Sequence, residues 1–187
     1  MLMKTEIEAR LLDINEQEFI DKIKSLNATF VGDWFMTRNV YDFVPASDNK
    51  WIRLRSDGVK TTLTVKEVVT GEIDGTQELE IEVGDFDETN EILNRLGFFA
   101  RGTQTNRRIR YMLDDVEIDI DFWPLIPTYV EFEADSVESI TNLCKKLDIP
   151  FDSLTTMSVP EVYAHYGKNV RDYPNIHLEE DRKNLKF

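Results

Sequence analysis

The segment Thr5-Glu6-Ile7-Glu8-Ala9-Arg10-Leu11 sets Glu6, Glu8 and Arg10 on one face of an extended chain and Ile7, Ala9 and Leu11 on the other. A period of two marks a β-strand, whose successive side chains point to opposite sides. The same alternation recurs down the chain. Arg53 and Arg55 oppose Ile52 and Leu54, and Thr62, Thr64 and Lys66 oppose Leu63 and Val65. Glu78, Glu80 and Glu82 oppose Leu79, Ile81 and Val83, and Arg108 and Arg110 flank Ile109. Glu117, Asp119 and Asp121 alternate with Val116, Ile118 and Ile120, and Glu131 and Glu133 with Val130 and Phe132. Two long stretches, 30–43 and 98–113, complete a set of eight predicted strands, with Asp57-Gly58 reading as a tight hairpin turn.

Three amphipathic helices interrupt the strands. The first opens on Asn15 and Glu18 and carries Phe19, Ile20, Ile23 and Leu26 on one side. The second follows Asp87, carries Ile92, Leu93 and Leu96, and stops at Gly97. The third starts near Ser136, carries Val137, Ile140, Leu143 and Leu147, and ends before Pro150. A short fourth helix is expected from Ser158, with Glu161 completing its capping box, to near Gly167. Residues 1–167 therefore read as one domain, and the polar stretch 168–187 as a tail or loosely docked flap. A shift of 70 residues pairs Glu8 with Glu78, Glu18 with Glu88, Leu26 with Leu96, Gly32 with Gly102, Arg38 with Arg108 and Tyr41 with Tyr111. Such a repeat is what two related half-barrels would leave.

The chain has 187 residues, 41% of them hydrophobic, which suits one globular domain with a sizeable core. No apolar run reaches the roughly 20 residues of a membrane helix, and the opening Met1-Leu-Met-Lys-Thr-Glu has no apolar core of the length a secretory signal needs, so none is expected. The single cysteine, Cys144, excludes an internal disulfide framework and a cysteine-based zinc site, so the cytoplasm is the default location. The net charge of −14 repels nucleic acid and anionic membranes at long range, and neither is expected as a partner.

What distinguishes this chain is the sign of its polar faces. They form blocks of like charge, and like charges two apart on a strand repel, an arrangement from which a solvated surface gains nothing. The three helices also need apolar surface to bury against. If the apolar strand faces turn outward to the helices, the charged faces turn inward, and a closed eight-stranded antiparallel β-barrel with a polar interior follows, an α+β fold. Interior charge must find partners. A polyanion held by Arg and Lys, with divalent metal between it and the carboxylates, would supply them.

The ordered blocks resemble the CYTH superfamily, also called triphosphate tunnel metalloenzymes, which includes class IV adenylyl cyclases, thiamine triphosphatases, inorganic triphosphatases and fungal-type RNA triphosphatases. Glu6-Ile-Glu8-Ala-Arg10 is similar to the family's ExExK motif. It is followed in order by Arg53-Leu-Arg55, Thr62-Leu-Thr-Val-Lys66, Glu78-Leu-Glu80-Ile-Glu82, Arg108-Ile-Arg110, Asp119-Ile-Asp121 and Glu131-Phe-Glu133, over roughly residues 5–166. The resemblance implies a tunnel that binds a triphosphate with Mg²⁺ or Mn²⁺. It implies Glu6, Glu8, Glu131 and Glu133 as metal ligands, assisted by Asp119 or Asp121. Arg53, Arg55, Lys66, Arg108 and Arg110 would form the phosphate clamp, with Arg10 as a further cation. Glu80 and Glu82 would orient basic residues or hold a second metal, and they stand with Lys66 as the catalytic candidates. Arg10 replaces the family's Lys and keeps a clamping role without a proton-shuttling one, because Arg does not readily give up its proton.

Three functions fit these residues: hydrolysis of an inorganic or organic triphosphate, cyclisation of ATP as in class IV adenylyl cyclases, and binding of polyphosphate or nucleotide without turnover. No cluster of residues reads adenine, which favours hydrolysis. Glu78 and Glu117 lie near strand ends and fit a solvated place as well as an interior one, Arg107 is expected to face outward, and Arg38 fits either the clamp or the surface and is left out of the clamp set. Trp34, Trp51 and Trp123 read as packing residues, with stacking on a base or thiazole the alternative for one at the barrel mouth; Cys144 reads as a core thiol, and His165 and His177 as surface or helix residues. The oligomeric state is open, with a homodimer among the options.

Overall fold

The computed structural model describes residues 3–178. In chain order the elements are β1 (Lys4–Leu11), α1 (Glu16–Ser25), β2 (Thr29–Asp42), β3 (Lys50–Ser56), β4 (Thr61–Val68), β5 (Thr76–Val83), α2 (Phe86–Arg95), β6 (Ala100–Leu113), β7 (Val116–Phe122), β8 (Tyr129–Ala134), α3 (Val137–Leu147) and α4 (Val159–His165). The strands close into a barrel in the order β1-β5-β4-β3-β2-β6-β7-β8, and the strand pairs are antiparallel. The fold is therefore the closed antiparallel barrel with external helices that the alternation predicts.

The ring order explains the internal repeat. Exchanging β1–β4 for β5–β8 leaves the order unchanged, so the barrel is built from two halves of the form strand, helix, long strand, strand, strand. The helix caps match at the same spacing of 70. Asn15 Oδ1 accepts from the Glu18 N–H at 3.2 Å, and Asp85 Oδ1 from the Glu88 N–H at 2.8 Å.

The main core lies outside the barrel wall. Ile118, Ile120, Val130 and Phe132 on the outer faces of β7 and β8 are fully buried under Ile23 of α1 and Ile140, Leu143, Cys144 and Leu147 of α3. A second cluster packs Leu93 of α2 over Tyr41, Ile52 and Leu54 on β2 and β3. Each fully buried aliphatic side chain contributes about 1.5–3 kcal/mol, so these two seats hold the charged faces inward. The cover is incomplete: Leu79 and Ile81 on the outer face of β5 remain 36% and 55% exposed. The first half passes from β4 to β5 through the turn at 69–75 and has no helix equivalent to α3.

A third cluster sits at one barrel end. Trp123 and Tyr129 share the interior parity of Asp121, yet they pack with Ile126, with Val162 and Tyr163 of α4, and with Val170 and Ile176. Residues 175–178 extend the sheet beside β6: Thr105 N–H donates to Ile176 O at 2.9 Å, and Ile176 N–H to Thr103 O at 3.2 Å. Gly102, at φ 153°, permits the close approach, because a Cβ there would overlap the Pro174 carbonyl. α4 and the 170–176 segment thus fill the end reached by the C-termini of β1 and β7. Of the stretch read as a tail, 179–187 lies outside the described residues.

Candidate functional site

Register places the charged rows side by side on the inner wall. On one side, Glu8 pairs with Glu133 and Glu133 with Glu117, while Arg10 pairs with Glu131, Glu131 with Asp119 and Asp119 with Arg110. The next row joins Tyr129, Asp121 and Arg108. On the other side, Arg38 pairs with Arg55, Arg55 with Thr62 and Thr62 with Glu82, and the adjacent row joins Arg53, Thr64 and Glu80. All the sequence-predicted residues except Glu82 thereby share one interior in the packed part of the barrel. Glu82 is on the same face but exposed at the end of β5.

A dense ion network occupies the middle. The Arg108 guanidinium lies 2.5 Å from Asp119, 2.5 Å from Asp121 and 3.2 Å from Glu131. Arg10 lies 2.5 Å from Glu131 and 3.2 Å from Glu8, and donates from Nη1 to the Met157 carbonyl at 2.7 Å. Arg110 reaches Glu117 at 2.5 Å and Asp119 at 2.6 Å. Lys66 Nζ sits 2.7 Å from Glu6 and 3.6 Å from Glu78. Burial alone would raise the Glu131 pKa, but Arg10 and Arg108, with Lys66 and Arg53, hold it well below the carboxylate range. Burial would likewise lower Arg108, and Asp119, Asp121 and Glu131 override it and raise the guanidinium well above its ordinary value. These groups neutralise one another and form the frame of the interior.

Two regions are left with excess charge. The first is cationic. Arg53 and Arg55 share one carboxylate, Glu80, at 3.2 Å and 3.9 Å. Arg55 is pushed down to about 9, chiefly by Arg53, then by burial and Arg108. Arg38 is pushed down to about 10 by burial and by Arg53. Both stay charged at neutral pH, so each marks a site that lacks an anion. Glu80 is held low despite its burial, by a 2.6 Å hydrogen bond from Thr64 Oγ1 and by the charges of Arg53 and Arg55. Thr62 Oγ1 and Arg53 Nε are buried with no hydrogen-bond partner.

The second region is anionic and lies at the end opposite α4, at the C-terminus of β8 and the N-terminus of β7. Glu133 is raised to about 7 by burial and by the charges of Glu131, Glu117, Glu6 and Glu8. Glu117 is raised by burial and by Asp119, and Glu6 by burial and Glu78. Among the described residues, no three carboxylate, His or Cys side chains are gathered as a coordination sphere. The donor chemistry still fits a hard divalent cation. Glu8, Glu133 and Glu117 are direct cross-strand neighbours, oxygen donors all, in a cluster whose mutual repulsion a cation would relieve. Asp119, Asp121 and Glu131 are enclosed by arginines, whereas Glu8 and Glu117 each meet one arginine, Arg10 and Arg110, and Glu133 makes no ion pair among the described residues.

Arg38 and Tyr129 escaped the reading by sequence. Arg38 lies inside the barrel, its guanidinium 4.1 Å from the Trp123 ring centroid, and the signal for it was the match to Arg108 at the 70-residue shift. Tyr129 shares the parity of Glu131 and Glu133. Arg107 faces outward and pairs with Asp33 at 2.7 Å, His165 is exposed at the end of α4, and Cys144 is buried. No helix among the described residues is long and apolar enough to cross a membrane.

A family model for the CYTH domain matches residues 4–149. No curated protein matches the chain. Among solved structures, the PH1012 protein of Pyrococcus horikoshii aligns with a TM-score of 0.73 at 23% identity, over 84% of this chain and 98% of that one. A candidate adenylate cyclase from Vibrio parahaemolyticus gives 0.70 at 15% identity, over 86% and 98%. A candidate adenylyl cyclase from Hippeastrum, described as having a dominant triphosphatase activity, gives 0.58 at 15% identity, over 90% and 97%. At these identities the likeness to each structure is one of fold. The family match takes in all eight strands and the first three helices, and the chain belongs to the CYTH domain family.

Proposed function

We propose that the barrel binds a linear triphosphate together with Mg²⁺ or Mn²⁺ and hydrolyses it. The observation that carries this reading is the separation of two complementary charge excesses within one interior: Arg53 and Arg55 share the single carboxylate of Glu80, while Glu8, Glu133 and Glu117 stand side by side across three strands. A metal–polyphosphate complex brings an anion to the first region and a cation to the second.

In this reading Arg53 and Arg55 meet the phosphate oxygens, with Lys66 and Arg110 at the flanks. Glu80 fixes Arg53 and Thr64 in place through its hydrogen bonds. Glu8, Glu133 and Glu117 hold the cation, with Glu6 nearby, and Glu131, Asp119 and Asp121 keep Arg10 and Arg108 in position. Glu82 stands at the mouth. A bound divalent cation would neutralise phosphate charge and lower the pKa of a water molecule. The guanidinium pair supplies preset positive charge where the transferring phosphoryl group redistributes its own, which is the main requirement of phosphoryl transfer. Attack of water on a terminal phosphorus breaks the P–O bond to the next phosphate and yields orthophosphate and pyrophosphate from tripolyphosphate. The dominant triphosphatase activity of the Hippeastrum protein supports this choice.

The test is product analysis with tripolyphosphate, thiamine triphosphate and ATP, each with Mg²⁺ or Mn²⁺. Orthophosphate release from a triphosphate is expected. Cyclic AMP and pyrophosphate from ATP, with tripolyphosphate intact, would establish the cyclase instead. Tight binding without turnover of any of the three would leave a binding module.

A further inference from the structure

We propose that Arg38, with Tyr129 and Trp123, forms a terminal anion pocket at the filled end of the barrel, selecting phosphate chains that present an unsubstituted end. The proposal rests on the triphosphate reading above and adds a direction and a selectivity to it.

Arg38 is held by neutral groups. Its Nε and Nη2 donate to Gln104 Oε1 at 3.0 and 2.9 Å, and its plane lies over the Trp123 ring. It makes no ion pair with any carboxylate among the described residues, unlike Arg10, Arg108 and Arg110. An amide and an indole fix the orientation of a guanidinium without cancelling its charge, which suits a group that awaits an anion. In register it stands opposite Arg55 on one side and opposite Gln104, which bridges to Ile176, on the other, so it links the clamp to the filled end.

The donors around it point the same way. Trp123 Nε1 and Tyr129 Oη, both in the cluster against which Arg38 lies, are buried without hydrogen-bond partners. Buried donors of this kind are costly unless something accepts from them. A phosphate end carries three acceptor oxygens, more than a bridging phosphate offers.

The cap supplies the selectivity. Val162, Tyr163, Val170 and Ile176 pack on Trp123 and Tyr129, and Arg10 ties this cap to the ion network through Met157 O. A phosphate chain cannot thread past them. It enters from the acidic end, and its leading end stops at Arg38. A chain with at least one free end fits, and a chain esterified at both ends does not.

Calorimetric binding measurements, with Mg²⁺ and without it, test this on three probes: tripolyphosphate, ATP and diadenosine triphosphate, which is esterified at both ends. The wild-type protein should bind the first two and bind the doubly esterified one at least tenfold more weakly. Arg38→Gln should weaken tripolyphosphate binding at least tenfold without lowering the melting temperature of the ligand-free protein, and Arg38→Lys should recover part of the loss. Tyr129→Phe, which removes only the hydroxyl, should weaken binding severalfold, and it carries the test if Arg38→Gln does not fold. Wild-type affinity in Arg38→Gln and Tyr129→Phe, with the affinity lost in Arg55→Ala, overturns the terminal pocket and leaves the triphosphate reading standing. Equal binding of diadenosine triphosphate overturns the end selection. Failure of the wild-type protein to bind tripolyphosphate overturns the reading beneath both.

Discussion

Replacing Glu133 with Gln should stabilise the ligand-free protein, and should do so only at neutral pH and above. A carboxyl that ordinarily titrates near 4.5 is held until about 7 here, so the folded protein keeps a proton that the unfolded chain has released. Stability therefore falls as pH rises from about 4.5 to about 7, and the penalty is complete above that range. At about 1.4 kcal/mol per pH unit the span gives about 3 kcal/mol, reduced to about 2 kcal/mol because Glu133 is only half-buried and water screens part of the repulsion. The amide mimics the protonated acid in size and charge and removes that penalty. For a chain of this length it corresponds to a rise in melting temperature of about 4–8 °C. Thermal denaturation of both proteins at about pH 5 and about pH 8, either side of that titration, measures it in the presence of a chelator. The two should nearly coincide at the acid end and separate at the alkaline end. Saturating Mg²⁺ or Mn²⁺ should raise the wild-type protein more than the variant and narrow the gap. A variant less stable than wild type at the alkaline end, or a gap independent of pH, would refute the argument that Glu133 sits in uncompensated negative potential.

The frame residues should behave in the opposite way. Arg108→Ala leaves Asp121 buried without an ion pair and Asp119 with Arg110 alone, and should cost about 3–5 kcal/mol in urea denaturation. Arg55→Ala should leave ligand-free stability unchanged or improved while it raises the KM for tripolyphosphate and lowers kcat/KM. A loss of about 2–4 kcal/mol of transition-state binding is expected, and a change below about tenfold would place the phosphate elsewhere. Arg10→Lys keeps the charge but cannot reach Glu131, Glu8 and the Met157 carbonyl with one rigid fork. It should loosen the 155–178 cap, seen as faster amide exchange at Thr155. Gly102→Ala places a Cβ against the Pro174 carbonyl and should release the 174–178 segment, seen as faster exchange at Thr105 and Ile176.

Local pattern alone specifies the wall of this barrel. Alternation fixes which face of each strand is polar, the helices' apolar stripes demand the other face, and closure with charge inside follows from that pattern plus the hydrophobic effect. The repeat was legible for the same reason, since helix caps and strand parity are short-range features that a shift of 70 residues preserves. The partners of each charge were not legible. Arg108 and Arg55 look equivalent in the chain, each in an Arg-x-Arg pair, yet one is enclosed by three carboxylates and the other faces its own kind. Which carboxylate meets which cation depends on how strands far apart in sequence stand in register around the ring, and electrostatic energy depends on those distances. The filled end was hidden for a related reason. Leu12, Trp123, Tyr129 and Ile176 show no common period, because they come from three strand ends and a docked loop that meet only when the barrel closes.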